Sequence, residues 1–158
     1  MSILVVRHGS AGNHLAWEGD DADRPLDPRG LAQAASLAEA FAGFPVSLVL
    51  SSRAVRCQNT VLPLARQAGL EVAPDPVLYE GASLQALRLV ETLAKDDERN
   101  NTTVLCSHGD VISEMLHNLI LTGVRTHGDR GCAKGSVWEL SCRGGVVVEG
   151  RYHHPPTV

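Results

Sequence analysis

Apolar and polar positions alternate along this chain in blocks whose lengths and periods predict a succession of strands and helices. Ile3-Leu4-Val5-Val6 is an unbroken apolar run, the mark of a strand buried on both faces, and predicts a strand from Ser2 to Val6. A polar, acidic loop rich in Gly and Asp runs from Gly9 to Asp27. Pro28 then suits a first helical turn with Asp27 as N-cap, and Leu31, Ala34, Ala35, Leu37, Ala38 and Phe41 line one face of a helix from about Gly30 to Ala42.

The same reading places a second strand at Val46 to Leu50, a helix from Ser51-Ser52 to about Ala68, a short strand around Glu71 to Ala73 and a helix from Ser83 to Lys95. Asp96 to Asn101 is a charged, solvated turn, and after it come an apolar strand, Thr103 to Ser107, and a helix from Val111 to Leu121. Ser136 to Ser141 and Val146 to Gly150 read as two strands joined across Arg143-Gly144-Gly145, with His153-His154-Pro155-Pro156 as an exposed end. There is no internal repeat, linker or low-complexity stretch.

Short crossover helices between buried strands imply an α/β fold, a three-layer α/β/α sandwich around a mainly parallel sheet. A length of 158 residues with 44% hydrophobic content fits one domain over residues 1–158. The formal charge of −4 excludes a broad nucleic-acid-binding face. No apolar run is long enough to span a bilayer and no secretory signal is legible, so the expected location is cytoplasmic. Cys57, Cys106, Cys132 and Cys142 lack a close Cys-x-x-Cys pairing and read as reduced thiols, with Cys106 packed as a small apolar residue.

In parallel sheets ligands bind beyond the carboxyl ends of the strands. Three chemically loaded segments fall at such ends: Arg7-His8-Gly9, Ser51 through Arg56, and His108-Gly109-Asp110. One histidine after one strand is normally structural, whereas three such segments at one edge point to a shared site. Phosphoryl transfer needs a nucleophile, fixed positive charge around the phosphoryl oxygens and an acid for the leaving group. Imidazole can attack phosphorus, and arginine forks match phosphate better than lysine does.

These segments, together with Ser51-Ser52-Arg53-Ala54-Val55-Arg56-Cys57-Gln58-Asn59-Thr60, Leu78-Tyr79-Glu80 and Ser107-His108-Gly109-Asp110, resemble the histidine phosphatase superfamily, whose fold is phosphoglycerate-mutase-like. Arg24-Pro25-Leu26-Asp27-Pro28-Arg29-Gly30 and Lys134-Gly135-Ser136-Val137-Trp138 are similar to its short branch, which includes bacterial phosphohistidine phosphatases and the phosphatase domain attached to some Nudix hydrolases. The resemblance implies that His8 is the nucleophile, that Arg7, Arg56 and His108 bind the phosphoryl oxygens, and that Glu80 is the general acid. It implies no metal and no cofactor. Glu80 is otherwise a loop surface charge, and Arg53, where the family often has proline, is read as solvating the helix start rather than lining the pocket.

The activity expected on this basis is hydrolysis of a phosphate monoester through a phosphohistidine on His8. The alternatives are a protein phosphohistidine phosphatase and a non-catalytic phosphate-binding protein on the same fold. The expected partner is a phosphorylated small molecule or a phosphoprotein. Among the remaining residues, His117 is assigned to solvent or to packing against a polar neighbour, His127 to the glycine-rich stretch that could border the pocket, and Trp17 to either a substrate-facing wall or core cover. Short segments around the site predict an open pocket.

Overall fold

A computed structural model describes residues 1–96 and 100–158. Its elements run β1 (Ser2–Arg7), α1 (Pro28–Ala40), β2 (Val46–Ser51), α2 (Val55–Gln67), β3 (Ala73–Pro74), α3 (Ser83–Ala94), β4 (Thr102–Ser107), α4 (Gly109–Leu121), β5 (Arg125–His127), β6 (Val137–Arg143) and β7 (Val146–His153). The strands form one sheet in the order β3-β2-β4-β1-β6-β7-β5. Pairing is parallel for β1 with β4, β2 with β4, β2 with β3 and β5 with β7; among the described strands β6 runs against its two neighbours. The mainly parallel α/β sandwich expected from the sequence is therefore the observed fold.

The period of two along β1 divides the core. Ile3 and Val5 pack with Val90, Val111, Ile112 and Met115 of α3 and α4, while Leu4 and Val6 pack with Leu37 of α1 and Cys57, Val61 and Leu64 of α2. Burial on both faces is why this strand is apolar without interruption. Cys106 sits wholly buried in the second of these clusters, as a small apolar residue would. Asp27 caps α1 through its side chain, which accepts the Gly30 N–H at 2.8 Å, and Pro28 occupies the first turn.

Several boundaries differ from the sequence reading. The second helix begins at Val55, not at Ser51-Ser52, because Ser51 completes β2 and the Ser52 N–H still bonds the Cys106 carbonyl at 2.9 Å. The third strand is Ala73–Pro74 rather than Glu71 to Ala73. The last strand continues to His153, whose ring meets Glu139 at 2.9 Å and stacks edge-on with Phe41. It therefore belongs to the sheet and not to an exposed tail. β5 was not legible, since three residues at a sheet edge carry too short a pattern to read. Of the charged turn expected at Asp96 to Asn101, residues 97–99 lie outside the described residues. Among the described residues no helix is long and apolar enough to cross a membrane.

Candidate active site

Sheet register brings the two histidines together. β1 and β4 are adjacent and parallel with Arg7 opposite Ser107, so His8 and His108 leave the sheet side by side. The His8 N–H donates to the Ser107 carbonyl at 3.1 Å, and the two ring centroids stand 5.5 Å apart, edge to face. The first turn of α2 adds Arg56, and the loop after the short 3-10 turn Pro76–Leu78 adds Glu80. Arg7, His8, Arg56, Glu80 and His108, all singled out in the sequence, line one cleft of about 680 Å³.

His8 is held in one defined state. Its Nδ1 lies 2.8 Å from the Gly9 carbonyl, which can only accept, so Nδ1 carries the proton and Nε2 keeps its lone pair. Burial pushes the imidazole pKa down from 6.5 to about 3; the bond to the Gly9 carbonyl opposes this, and the charges of Arg56, His108 and Arg7 add to it. A neutral imidazole with a free nitrogen is the form able to act as a nucleophile.

Around His108 a chain of polar contacts fixes the other wall. The Ser52 hydroxyl lies 2.8 Å from Nε2, with the Cys57 sulfur at 3.6 Å, while Nδ1 faces Glu80 Oε1 at 3.3 Å and Arg56 Nη2 at 3.4 Å. Arg56 is wholly buried. It donates from Nη2 to Glu80 Oε1 at 2.8 Å and to Asp21 Oδ2 at 3.0 Å, and from Nη1 to the Asp21 carbonyl at 2.8 Å. Asp21 Oδ1 accepts from Arg24 Nε at 3.0 Å. Burial raises the Asp21 carboxyl, but the hydrogen bonds and charges of Arg24 and Arg56 outweigh it and hold the group below its ordinary range.

Arg7 is set by a different element. Its Nη1 donates to the Cys132 carbonyl at 2.6 Å, in the loop before β6. That loop is tied to the strand end at further points: the Gly135 N–H reaches the Arg7 and His8 carbonyls at 3.1 and 3.0 Å, and the Arg7 N–H donates to the Ser136 carbonyl at 3.0 Å. The guanidinium lies flat against the start of α4, where a Cβ on Gly109 would come within 2.9 Å of its Cζ. Arg7 Nε and Arg56 Nε are both buried and have no hydrogen-bond partner among the described residues. Arg7 and Arg56 both line the cleft beside the neutral histidine, and guanidinium groups so placed suit a tetrahedral oxyanion.

The cleft also contains residues that sequence reasoning did not assign: His14, Asp21, Arg24, Asp110 and Lys134. Asp21 and Arg24 are an i, i+3 pair of opposite charge within the loop that the sequence marks only as polar and acidic. The loop expected to leave the pocket open thus builds part of its wall. Arg53 is exposed and stacks over the Tyr79 ring at 4.1 Å, outside the cleft lining. His117 is exposed on α4. His127 lies in β5, facing Glu149 at 3.5 Å, so it does not border the pocket. Trp17 is tethered through Nε1 to the Asp20 carbonyl at 2.9 Å, beside a separate shallow depression. Among the described residues no group of three or more His, Cys, Asp or Glu is placed to hold a metal ion.

Comparison with known proteins agrees with this geometry. A family model for the histidine phosphatase superfamily (branch 1) matches residues 3–83. The chain is 34% identical over 158 residues to a protein of Mycolicibacterium smegmatis named 8-oxo-(d)GTP phosphatase, covering 98% of this chain and 48% of that protein. The chain thus spans about half the length of that relative. Among solved structures, the protein histidine phosphatase SixA complexed with tungstate superposes with a TM-score of 0.74 at 17% identity, covering 98% of this chain and 95% of that one. YhfR of Bacillus stearothermophilus superposes with a TM-score of 0.75 at 14% identity, covering 92% and 93%. Because the family match takes in the segment that carries Arg7, His8, Arg56 and Glu80, the protein is a member of the histidine phosphatase superfamily.

Proposed function

We propose that the protein hydrolyses phosphate monoesters through a covalent phosphohistidine on His8. The observation that carries this reading is the state of His8: neutral, with Nδ1 committed to the Gly9 carbonyl and Nε2 free, in a cleft also lined by Arg7 and Arg56. Nε2 attacks phosphorus as the bond to the leaving oxygen breaks. Arg7, Arg56 and His108 hold the phosphoryl oxygens through donors fixed before the substrate arrives. Glu80, in its carboxylic acid form, gives its proton to the leaving oxygen; as a carboxylate it then takes a proton from the water that attacks the phosphohistidine. The P–N bond breaks, inorganic phosphate leaves, and His8 and Glu80 return to their starting states.

The name of the Mycolicibacterium smegmatis relative supports a small phosphorylated molecule as substrate. A second reading, hydrolysis of protein phosphohistidine, draws support from Glu80. Its carboxylate is already held by Arg56 at 2.8 Å, and a phosphoramidate protonated on nitrogen leaves without such an acid.

The direct test is intact-protein mass after brief mixing with an activated aryl phosphate, for wild type and His8→Ala. An acid-labile phosphoryl adduct is expected on wild type and not on the variant. An adduct that persists in His8→Ala, or turnover that does not need His8, would overturn the mechanism.

A further inference from the structure

The cleft is lined by four cationic side chains, Arg7, Arg24, Arg56 and Lys134, and by three carboxylates. Its carboxylates are engaged: Asp21 with Arg24 and Arg56, Glu80 with Arg56 and His108, and Asp110 with the Gly81 N–H at 3.2 Å. Lys134 also lines the cleft, is exposed, and takes part in no ion pair among the described residues. Its place is nonetheless fixed. Its carbonyl accepts from Gln33 Nε2 at 3.4 Å, and the next residue, Gly135, bonds the carbonyls of both Arg7 and His8.

Sheet order puts this lysine on the side of β1 away from His108 and Arg56. β1 lies between β4 and β6; His108 follows β4, Arg56 follows the adjoining β2, and Lys134 precedes β6. His8 therefore stands between one flank of paired charges and another whose ammonium has no ion pair among the described residues. A cleft of about 680 Å³ holds a ligand well beyond a single phosphate, since pockets that take drug-sized ligands measure roughly 300–1,000 Å³.

We propose that Lys134 forms a second anion subsite, so that the preferred substrate carries a second anionic group, phosphoryl or carboxylate, beyond the phosphoryl group transferred to His8. This rests on the phosphatase reading of the cleft. Lysine suits the role, because a compact ammonium on a flexible stem follows an anion whose position varies with the substrate.

Binding of non-hydrolysable probes tests it without turnover. Methylphosphonate carries one anionic group; methylenediphosphonate adds a phosphonate and phosphonoacetate a carboxylate. Titration calorimetry at low ionic strength is expected to show the wild-type protein binding at least one two-anion probe about tenfold more tightly than methylphosphonate, the size of one charge-assisted hydrogen bond. Which probe gains identifies the second group. Lys134→Ala is expected to remove the gain and Lys134→Arg to keep it. Equal binding of all three probes by wild type, or a gain that survives Lys134→Ala, would overturn the subsite. Failure of the protein to turn over any aryl phosphate would count against the phosphatase reading alone, because the phosphonates bind without reacting.

Discussion

Gly109→Ala separates what the start of α4 does for stability from what it does for the site. Gly109 opens α4 directly after His108, and its backbone needs no conformation reserved for glycine. A methyl group there would meet Arg7 Cζ at 2.9 Å, Nε at 3.1 Å and Nη1 at 3.2 Å. Ordinary contact is about 3.5 Å or more, so the guanidinium must retreat by about half an ångström or more. Being the end of a flexible side chain, it can do so without disturbing the backbone. The retreat strains the 2.6 Å bond to the Cys132 carbonyl and draws Arg7 away from the phosphoryl position. Misplacing a positioning group by about 1 Å costs on the order of 10²-fold in rate, so kcat/KM for an aryl phosphate is expected to fall between about 10-fold and 100-fold. Alanine favours a helix over glycine by up to about 1 kcal/mol, which for a chain of this size moves Tm by no more than about 4 °C. Steady-state kinetics and a thermal melt on the same preparation read both quantities. Unchanged kcat/KM would refute the close packing of Arg7 on α4. A large fall in Tm would show that the backbone, not the guanidinium, had moved.

Two further expectations concern the titratable groups of the cleft. Glu80→Gln keeps an oxygen for Arg56 but has no proton to give; monoester kcat should fall about 10²-fold while hydrolysis of a phosphoramidate changes little, and equal losses would remove Glu80 from the role of acid. Folded His8 has a pKa of about 3 against 6.5 for the free side chain, so the unfolded chain binds the extra proton between those values. Stability is therefore full above pH 6.5 and declines as pH drops toward 3. Tm measured against pH should decline more steeply in this window for wild type than for His8→Gln, and parallel curves would show that His8 is not held neutral by burial.

The main elements were legible because their patterns are local. An unbroken apolar run predicts a strand with two buried faces, and Asp27-Pro28 announces a capped helix. Arg7, His8, Arg56 and His108 could be singled out because each lies at the carboxyl end of a strand or in the segment that follows it, and parallel strands gather such ends at one edge of the sheet. The start of α2 was misplaced because Ser51-Ser52 satisfies a helix-capping pattern, whereas pairing with β4 extends the strand across Ser51. Asp21 and Arg24 lie in a loop legible only as polar and acidic, and nothing local could show that Arg56, 35 residues on from Asp21, would seek its carboxylate.

The sequence by itself thus determined the strand–helix succession, the doubly buried central strand and the residue types placed at the sheet edge, all of which depend on periodicity and neighbours in the chain. Only the tertiary structure decided the rest: the neutral state of His8, the Asp21–Arg56–Glu80 contacts, the seat of Arg7 against Gly109 and the place of Lys134 in the cleft. These depend on distances between segments far apart in the chain and on how completely water is excluded between them. No local pattern encodes such quantities, because burial and charge pairing are set by what the folded sheet brings alongside.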